Sequence, residues 1–315
     1  MSERAPEEIL WDCLRGAMMT RALGIVAALG VADMLAGGPR SVEELARESG
    51  SDPDALHRLL RALANDGVFA HEEPGVFRNT ETSELLTGGW GDFAQLFGGI
   101  WYRAIAELEA DGKPTFARVF GADFWAWLAE HPEERAAFDR AMEQGKEPRI
   151  ERLAELEWRG DELVVDVGGG NGSLLAGLLR CHPGLRGIVF DLPETVRDEA
   201  VLGERIEFVE GNFFERVPEG DVYVLSTILH DWDDERASAI LQAVRRCGPV
   251  HSRLLIIDAV VEPGNEPQGA KWLDILILAT LGGRERTEEE WLRLLSGAGF
   301  ELIDIEDRLI QARAQ

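Results

Sequence analysis

Apolar residues recur at helical spacing from the start of the chain. Residues 7–36 are rich in Ala, Leu and Met at that spacing, and Gly24 and Gly30 interrupt them, which predicts two helices. A stripe this apolar needs a partner, either the core of the same chain or a second chain. Ser41-Val-Glu-Glu44 has the form of a capping box opening a short helix. Ser51-Asp52-Pro53 caps the next helix with proline at its first position, and Leu56, Leu59, Leu60 and Leu63 line one face of it. After Gly67, residues 68–80 predict a two-stranded wing turning at Pro74-Gly75, so 41–80 has the element order of a winged helix. Residues 92–157 predict further helices, punctuated at Gly112-Lys-Pro114 and His131-Pro132, with aromatics including Trp101, Phe116, Phe124, Trp125, Trp127 and Phe138. These aromatics read first as core, and some of them as pocket wall.

From residue 160 the period changes. Short β-rich runs at 163–167, 187–192, 206–211, 222–227 and 254–261 alternate with helical segments, which predicts an α/β fold with a mostly parallel sheet covered on both faces. FELIDIED and LIQARA close the chain with no room for a crossover helix between them, so they predict an antiparallel hairpin at one sheet edge. The expected division is an N-terminal domain over 1–90, a helical substrate-lining region over 91–157 and a nucleotide-type domain over 158–315. At roughly 150 residues per domain, the 315 residues suit such a division.

Charge narrows the function classes. Lys and Arg number 32 against 58 Asp and Glu, a formal charge of −26. Such a surface repels nucleic-acid phosphates and anionic membranes. The winged-helix segment invites a DNA-binding reading, but residues 41–90 hold ten acids and four arginines, and a groove reader needs a basic face. The three cysteines, Cys13, Cys181 and Cys247, are widely spaced and show neither a disulfide framework nor a zinc pattern. The N-terminus is acidic, unlike a signal peptide, and the longest apolar runs fall far short of a membrane span, so the expected location is the cytoplasm.

Candidate chemistry lies at two strand ends. The first strand of the second half runs into Asp166-Val-Gly168-Gly-Gly170-Asn-Gly172, whose glycines permit a tight turn and a close ligand approach at a helix N-terminus. Asp191 ends the next strand 19 residues after the last glycine, where a ribose-binding acid belongs. The spacing D-x-G-x-G-x-G resembles class I S-adenosylmethionine-dependent methyltransferases more than dehydrogenases. The fourth strand ends in Ser226-Thr-Ile-Leu-His230-Asp231-Trp232-Asp233-Asp234, which places a histidine where open sheets bind ligands. His230 there reads as a base. A hard-metal site with Asp231, Asp233 and Asp234 is an alternative, and a helix cap at Asp233 or Asp234 is the simpler use of those acids.

LVVDVGGGNG, FDLPETV, GNFF, ILHDWDDE and GGRERTEEEW in this order resemble the plant caffeate- and flavonoid-type O-methyltransferases and their bacterial natural-product-tailoring relatives, over nearly the whole chain. The resemblance implies a winged-helix dimerisation domain, a homodimer through the N-terminal helices, and a Rossmann-like catalytic domain. It implies S-adenosylmethionine as methyl donor, S-adenosylhomocysteine as product, no metal, and a small aromatic acceptor. It makes His230 the catalytic base, flanked by Asp258 and Glu285. Gly168, Gly170, Asp191, Leu192 and Phe213 map onto donor contacts, with Asp166, Asn212, Ser226 and Trp232 beside them. Phe138 and Met142 match the residues that clamp the acceptor, and Asp231, Leu276 and Thr280 are expected on the acceptor side.

Several positions depart from the pattern. Asn212 replaces an acid in the motif usually written G-D-M-F, Ser226 stands where plant members have a lysine, Asp258 is shorter than the usual Glu, and Gly145 replaces a histidine. The amide oxygen of Asn212 can still accept a hydrogen bond. The expected reaction is proton removal from a phenolic hydroxyl by His230 during methyl transfer. Competing readings are N- or C-methylation, hydroxylation or cyclisation on the same scaffold, a winged-helix regulator, and a structural dimer with a dead site.

Overall fold

The computed structural model describes residues 5–193, 195, 203–306 and 308–315; Glu194 and Val196 of the FDLPETV motif and Asp307 of the terminal hairpin lie outside them. The chain segregates into two compact units. One comprises 1–107, 119–121 and 125–144, and the other comprises 108–118, 122–124 and 145–315. The stretch read from the sequence as one helical region, 91–157, is thus divided between the two.

The first unit opens with α1 (Pro6–Ala28), α2 (Val31–Met34), β1 (Arg40–Ser41), α3 (Val42–Ser49), α4 (Pro53–Asn65), β2 (Phe69–Glu73) and β3 (Val76–Asn79). Of the two glycines expected to break the first helix, only Gly30 does so, at φ +66. Gly24 lies inside α1 because the missing side chain serves a helix crossing. A Cβ there would stand 2.7 Å from Gly98 Cα in α6 (Gly89–Gly98), closer than any real contact. The capping box forms as expected: Ser41 N–H donates to Glu44 Oε2 (3.0 Å) and Glu44 N–H donates to Ser41 Oγ (3.3 Å). The Asp52 carboxylate accepts from Ala55 N–H at 2.8 Å at the start of α4. Leu45, Leu56, Leu60 and Leu63 meet Phe69 and Phe77 in the core of this unit, under a small antiparallel sheet ordered β1-β3-β2. α5 (Glu81–Glu84) and α7 (Ile100–Ala106) follow; the division of the chain falls within α8 (Phe116–Phe120) and α9 (Phe124–Glu130), and α10 (Pro132–Glu143) completes the unit. Arg140 of α10 reaches the Asp92 carboxylate of α6 through both Nε and Nη2, the latter at 2.7 Å.

The second unit contains α11 (Lys146–Ala154), β4 (Leu163–Val167), α12 (Ser173–Cys181), β5 (Arg186–Asp191), β6 (Ile206–Glu210) and β7 (Val222–Ser226). It continues with α13 (Asp234–Cys247), β8 (Arg253–Ile257), α14 (Ala270–Thr280), α15 (Glu288–Gly297), β9 (Phe300–Glu306) and β10 (Leu309–Ala314). Seven strands order as β6-β5-β4-β7-β8-β10-β9, parallel except for β10, which runs antiparallel to both β8 and β9. This is a Rossmann-like sheet closed at one edge by the terminal hairpin. Near-continuous apolar strands such as LVVDV and VYVLS follow from burial on both faces. One face packs on Ile240, Leu241 and Val244 of α13 with Trp291 and Leu295 of α15. The other packs on Leu174, Leu175 and Leu178 of α12 with Leu153 of α11. The order runs outward in opposite directions from β4 and β7, so their carboxyl ends border a switch-point crevice. The strand expected over 254–261 ends at Ile257, and Asp258 follows it fully buried. Among the described residues, no helix is long and apolar enough to cross a membrane.

Candidate active site

β4 delivers the glycine turn. Gly168 has φ +73 and its N–H donates to Phe190 O at 2.7 Å, while a Cβ there would meet Ile228 Cδ1 at 2.4 Å and Phe213 Cε1 at 3.8 Å. A side chain at Gly169 would strike the Asp166 carboxyl carbon at 2.7 Å. Glycine is therefore demanded here both by backbone conformation and by close approach. Asp191, at the end of β5, ties the turn down. Its Oδ2 accepts from Gly170 N–H (2.7 Å), and its Oδ1 accepts from Leu192 N–H (2.7 Å) and Thr195 Oγ1 (2.8 Å). Leu192 beside it is exposed.

Asp166 is buried, and neither of its carboxylate oxygens has a hydrogen-bond partner among the described residues. Burial pushes its pKa up to about 7, against the pull of Lys146 and with the push of Asp191. Trp232 Nε1 is likewise buried without a partner. The Trp232 ring stands edge-on to Phe213 (6.1 Å) and Phe214 (4.9 Å), and the exposed Asn212 holds this aromatic corner by accepting from Phe214 N–H at 3.0 Å. An unpaired buried acid beside an open glycine turn, next to an aromatic corner with a spare indole donor, fits a ligand that is part cationic and part planar heterocycle.

The second strand end carries the titratable cluster. Thr227 takes φ +55, rare for a β-branched residue, and costs roughly 1–3 kcal/mol. Its N–H donates to Ile257 O (2.9 Å) and its hydroxyl to Ser226 O (2.7 Å), so the kink leaving β7 is held from both sides. A 3₁₀ turn over Leu229–Asp231 then presents His230. His230 is 7% exposed, with Nδ1 2.8 Å from Glu285 Oε1 and 3.9 Å from Asp258 Oδ1, and Nε2 3.3 Å from Asp231 Oδ1. Burial alone would lower the histidine pKa, but Asp258, Asp231 and Glu285 outweigh it and raise it to about 9. Burial raises Asp231 to about 7 and Asp258 to about 6, with the His230 charge opposing both shifts. His230, Asp231 and Asp258 thus share few protons in a closed space.

Asp233 and Asp234 turn to other work. Asp233 caps α13 by accepting from Arg236 N–H at 2.8 Å, and Asp234 Oδ1 accepts from Arg286 Nε at 2.9 Å. Ser226 ends β7, partly buried, beside Arg149. Leu276 and Thr280 are buried on α14, where the Thr280 hydroxyl donates back to Leu276 O at 2.7 Å. Phe138 and Met142 lie on α10 in the other unit, with Phe138 edge-on to Trp125 at 5.6 Å.

The structure also shows partners that the motifs did not single out. Arg286 is fully buried and donates to Leu229 O (2.9 Å) and Trp232 O (2.9 Å), one carbonyl on each side of the His230-Asp231 pair. Arg284 N–H donates to His230 O at 2.8 Å, and a side chain at Gly283 would lie 2.1 Å from that oxygen. Asp274 Oδ1 accepts from Glu285 N–H at 2.8 Å. The segment GGRER therefore seats the whole histidine turn, and the only hint of this in the sequence is that Arg286 stands next to Glu285.

A family description for an O-methyltransferase domain matches residues 102–301, and one for an O-methyltransferase dimerisation domain matches residues 11–89. The chain is similar to the phenazine O-methyltransferase PhzM of Lysobacter antibioticus, 38% identical over 309 residues that cover 93% of this chain and 91% of that protein. It is also similar to the 3-amino-4-hydroxybenzoate 4-O-methyltransferase of Streptomyces cremeus, 35% identical over 310 residues covering 93% of this chain and 85% of the relative. Among solved structures, an O-methyltransferase from neocarzinostatin biosynthesis (NcsB1), in complex with S-adenosylmethionine and 2-hydroxy-5-methyl naphthoic acid, matches with a TM-score of 0.82. That match is at 31% identity and covers 94% of this chain and 96% of that one.

Proposed function

The chain belongs to the S-adenosylmethionine-dependent O-methyltransferase family, and on that premise we propose that His230 is the base in methyl transfer to a hydroxyl of a small aromatic acceptor. Hydroxy-aromatic acids form one acceptor class that this reading includes, as the names of the hydroxybenzoate and naphthoic acid relatives suggest. The observation that carries the assignment is the Nδ1–Glu285 contact of 2.8 Å on a buried imidazole. A carboxylate that accepts from Nδ1–H fixes the tautomer and leaves Nε2 to take a proton. Asp166, the glycine turn, Asp191, Phe213 and Trp232 would hold the methyl donor.

S-adenosylmethionine supplies an activated methyl group on a cationic sulfur, and that charge disfavours an imidazolium nearby. The residues do the rest by position and charge. A phenolic hydroxyl, with a pKa of about 10, is mostly protonated at neutral pH. His230 removes its proton at Nε2 as transfer proceeds, and Glu285 and Asp258 stabilise the resulting imidazolium. Asp231, on the Nε2 side, lies next in line to receive that proton.

The experiment is a mass-spectrometric assay for gain of one methyl group on a panel of phenols and hydroxy-aromatic acids, followed by a pH profile on any acceptor found. In the free enzyme the imidazolium persists up to about pH 9, so the base form is lost as pH falls below that value. kcat/KM should therefore keep rising to about pH 9 instead of levelling near the ordinary histidine value. Asp231→Asn removes one of the anions that hold the proton, and it should move the limb to lower pH. A limb near pH 6.5 that ignores Asp231→Asn would remove His230 from this role.

We also read the first unit as the pairing face of a homodimer. The dimerisation-domain match spans 11–89, and Leu10, Trp11, Leu14 and Met18 are each more than half exposed on α1. An apolar face of this kind marks an interaction site. Sedimentation velocity should give twice the monomer mass for the native chain and a lighter species for Leu14→Glu; a native monomer at micromolar concentration contradicts the pairing.

A further inference from the structure

Arg149 is a cation that neither the motifs nor the proton chemistry uses. It projects from α11 toward the carboxyl end of β7, where its Nη1 lies 3.4 Å from Ser226 Oγ, at the weak limit of a hydrogen bond. Its side chain is largely shielded from water. Among the described residues no carboxylate lies within ion-pair distance of it. The charges that bear on it are Arg308, which repels it, and Asp258, which stands 3.9 Å from His230 Nδ1. Burial and Arg308 both push the Arg149 pKa down, and an arginine nonetheless stays charged.

This is an odd position for a cation in a chain of net charge −26. Elsewhere Arg15, Arg40, Arg78, Arg140, Arg286 and Arg293 each reach a carboxylate. A shielded guanidinium that spends one donor on a long contact to a serine has the remaining donors of a planar fork unmatched. Such a fork is complementary to a carboxylate, which it binds through two parallel hydrogen bonds. The place also suits a ligand: Ser226 ends the strand that leads, four residues later, to His230.

We propose that Arg149 binds a carboxylate of a ligand of the methyl-transfer site, at the carboxyl end of β7. The inference rests on the methyl-transfer reading above and adds a binding residue to it. Two ligands of that site carry the same group: the amino-acid tail of the methyl donor, and the ring acid of a hydroxy-aromatic acceptor. Arg149 neutralises the carboxylate of either one, and that carboxylate in turn relieves the unpaired guanidinium.

Calorimetry with matched pairs of ligands separates the sources. S-adenosylhomocysteine and 5′-methylthioadenosine differ by the amino-acid tail, and 4-hydroxybenzoate and its methyl ester differ by the acid. Each pair is titrated into the native protein, Arg149→Gln and Arg149→Lys. If the donor tail sits on Arg149, Arg149→Gln cuts the preference for S-adenosylhomocysteine over methylthioadenosine by roughly tenfold or more, the loss expected for a charged hydrogen bond, and Arg149→Lys restores part of it. If the acceptor sits there, that preference is unchanged and the preference for the acid over its ester collapses instead. The proposal is overturned if the native protein prefers neither carboxylate, if Arg149→Gln leaves both preferences intact, or if it weakens all four ligands alike. Failure of the native protein to bind S-adenosylhomocysteine at all would overturn the methyl-donor reading, and the acid–ester pair alone would then decide Arg149.

Discussion

His230→Ala should lower kcat by about 10²–10⁴-fold, the usual contribution of a general base, while S-adenosylhomocysteine affinity changes only a few-fold. The size follows from what the imidazole supplies. It is the group in the cluster whose ordinary pKa lies nearest neutrality, and Glu285 holds it through Nδ1 at 2.8 Å. Without it, Asp258, Asp231 and Glu285 remain as buried acids, and an acceptor hydroxyl must lose its proton to water or to an acid raised only to about 6 or 7. Positioning of donor and acceptor still accelerates the reaction, which keeps the residual rate above the uncatalysed one. Removing the imidazole also takes away the one group that becomes cationic within the cluster, so further protonation of Asp231 and Asp258 is expected. His230→Gln preserves a hydrogen-bond donor toward Glu285 without basicity, and it should be as slow as His230→Ala. Single-turnover measurements on both variants with an identified acceptor check this, and native turnover in either one ends the base assignment.

Arg286→Ala should cost about 2–4 kcal/mol of stability, from backbone carbonyls that lose a charged donor together with the void left by a buried side chain. The guanidinium is fully buried and donates to Asp234 Oδ1, Leu229 O and Trp232 O, each at 2.9 Å. Alanine leaves the Leu229 and Trp232 carbonyls and the half-exposed Asp234 carboxylate without that donor, and it opens a void beside Trp291, over whose ring the guanidinium carbon lies at 5.3 Å. The two carbonyls bracket the His230-Asp231 pair, so turnover should fall as well, with a larger effect on kcat than on donor binding. Arg286→Lys should recover part of the stability but less of the rate, since one ammonium cannot span three separated acceptors in the same plane. Arg293→Ala is the control. Its exposed pair with Glu289 at 2.9 Å is worth at most about 1 kcal/mol. Chemical denaturation of the three variants measures the contrast, and an Arg286→Ala protein as stable as Arg293→Ala would show that the histidine turn is held by something else.

These two side chains differ in how far the sequence exposed them. His230 stands out because a histidine follows an apolar run that must end at the ligand side of a parallel sheet. Arg286 does not, because an arginine among Arg284, Glu285 and Glu288 reads as one more surface charge. Gly24 misled for a related reason. Along the chain it is a weak helix former, and only the close approach of Gly98 at 2.7 Å to its notional Cβ explains why the helix accepts it.

The sequence alone determined whatever depends on a few neighbouring residues. It set the capping box at Ser41, the parallel strands through their unbroken apolar runs, the terminal hairpin through its short connection, and the glycine turn through the backbone angles that glycine permits. The net charge of −26 and the acidic balance of residues 41–90 spoke against a nucleic-acid partner for that segment. What the tertiary structure decided is the surroundings of the histidine. Glu285 is 55 residues from His230 in sequence and 2.8 Å from it in space. The pKa of about 9 comes from three carboxylates brought together in a closed space. Such shifts grow with proximity and with exclusion of water, and neither is a property of the order of residues along a chain. The same holds for Arg149, which the chain places among surface helices and the fold places, shielded and without a carboxylate partner among the described residues, beside the site.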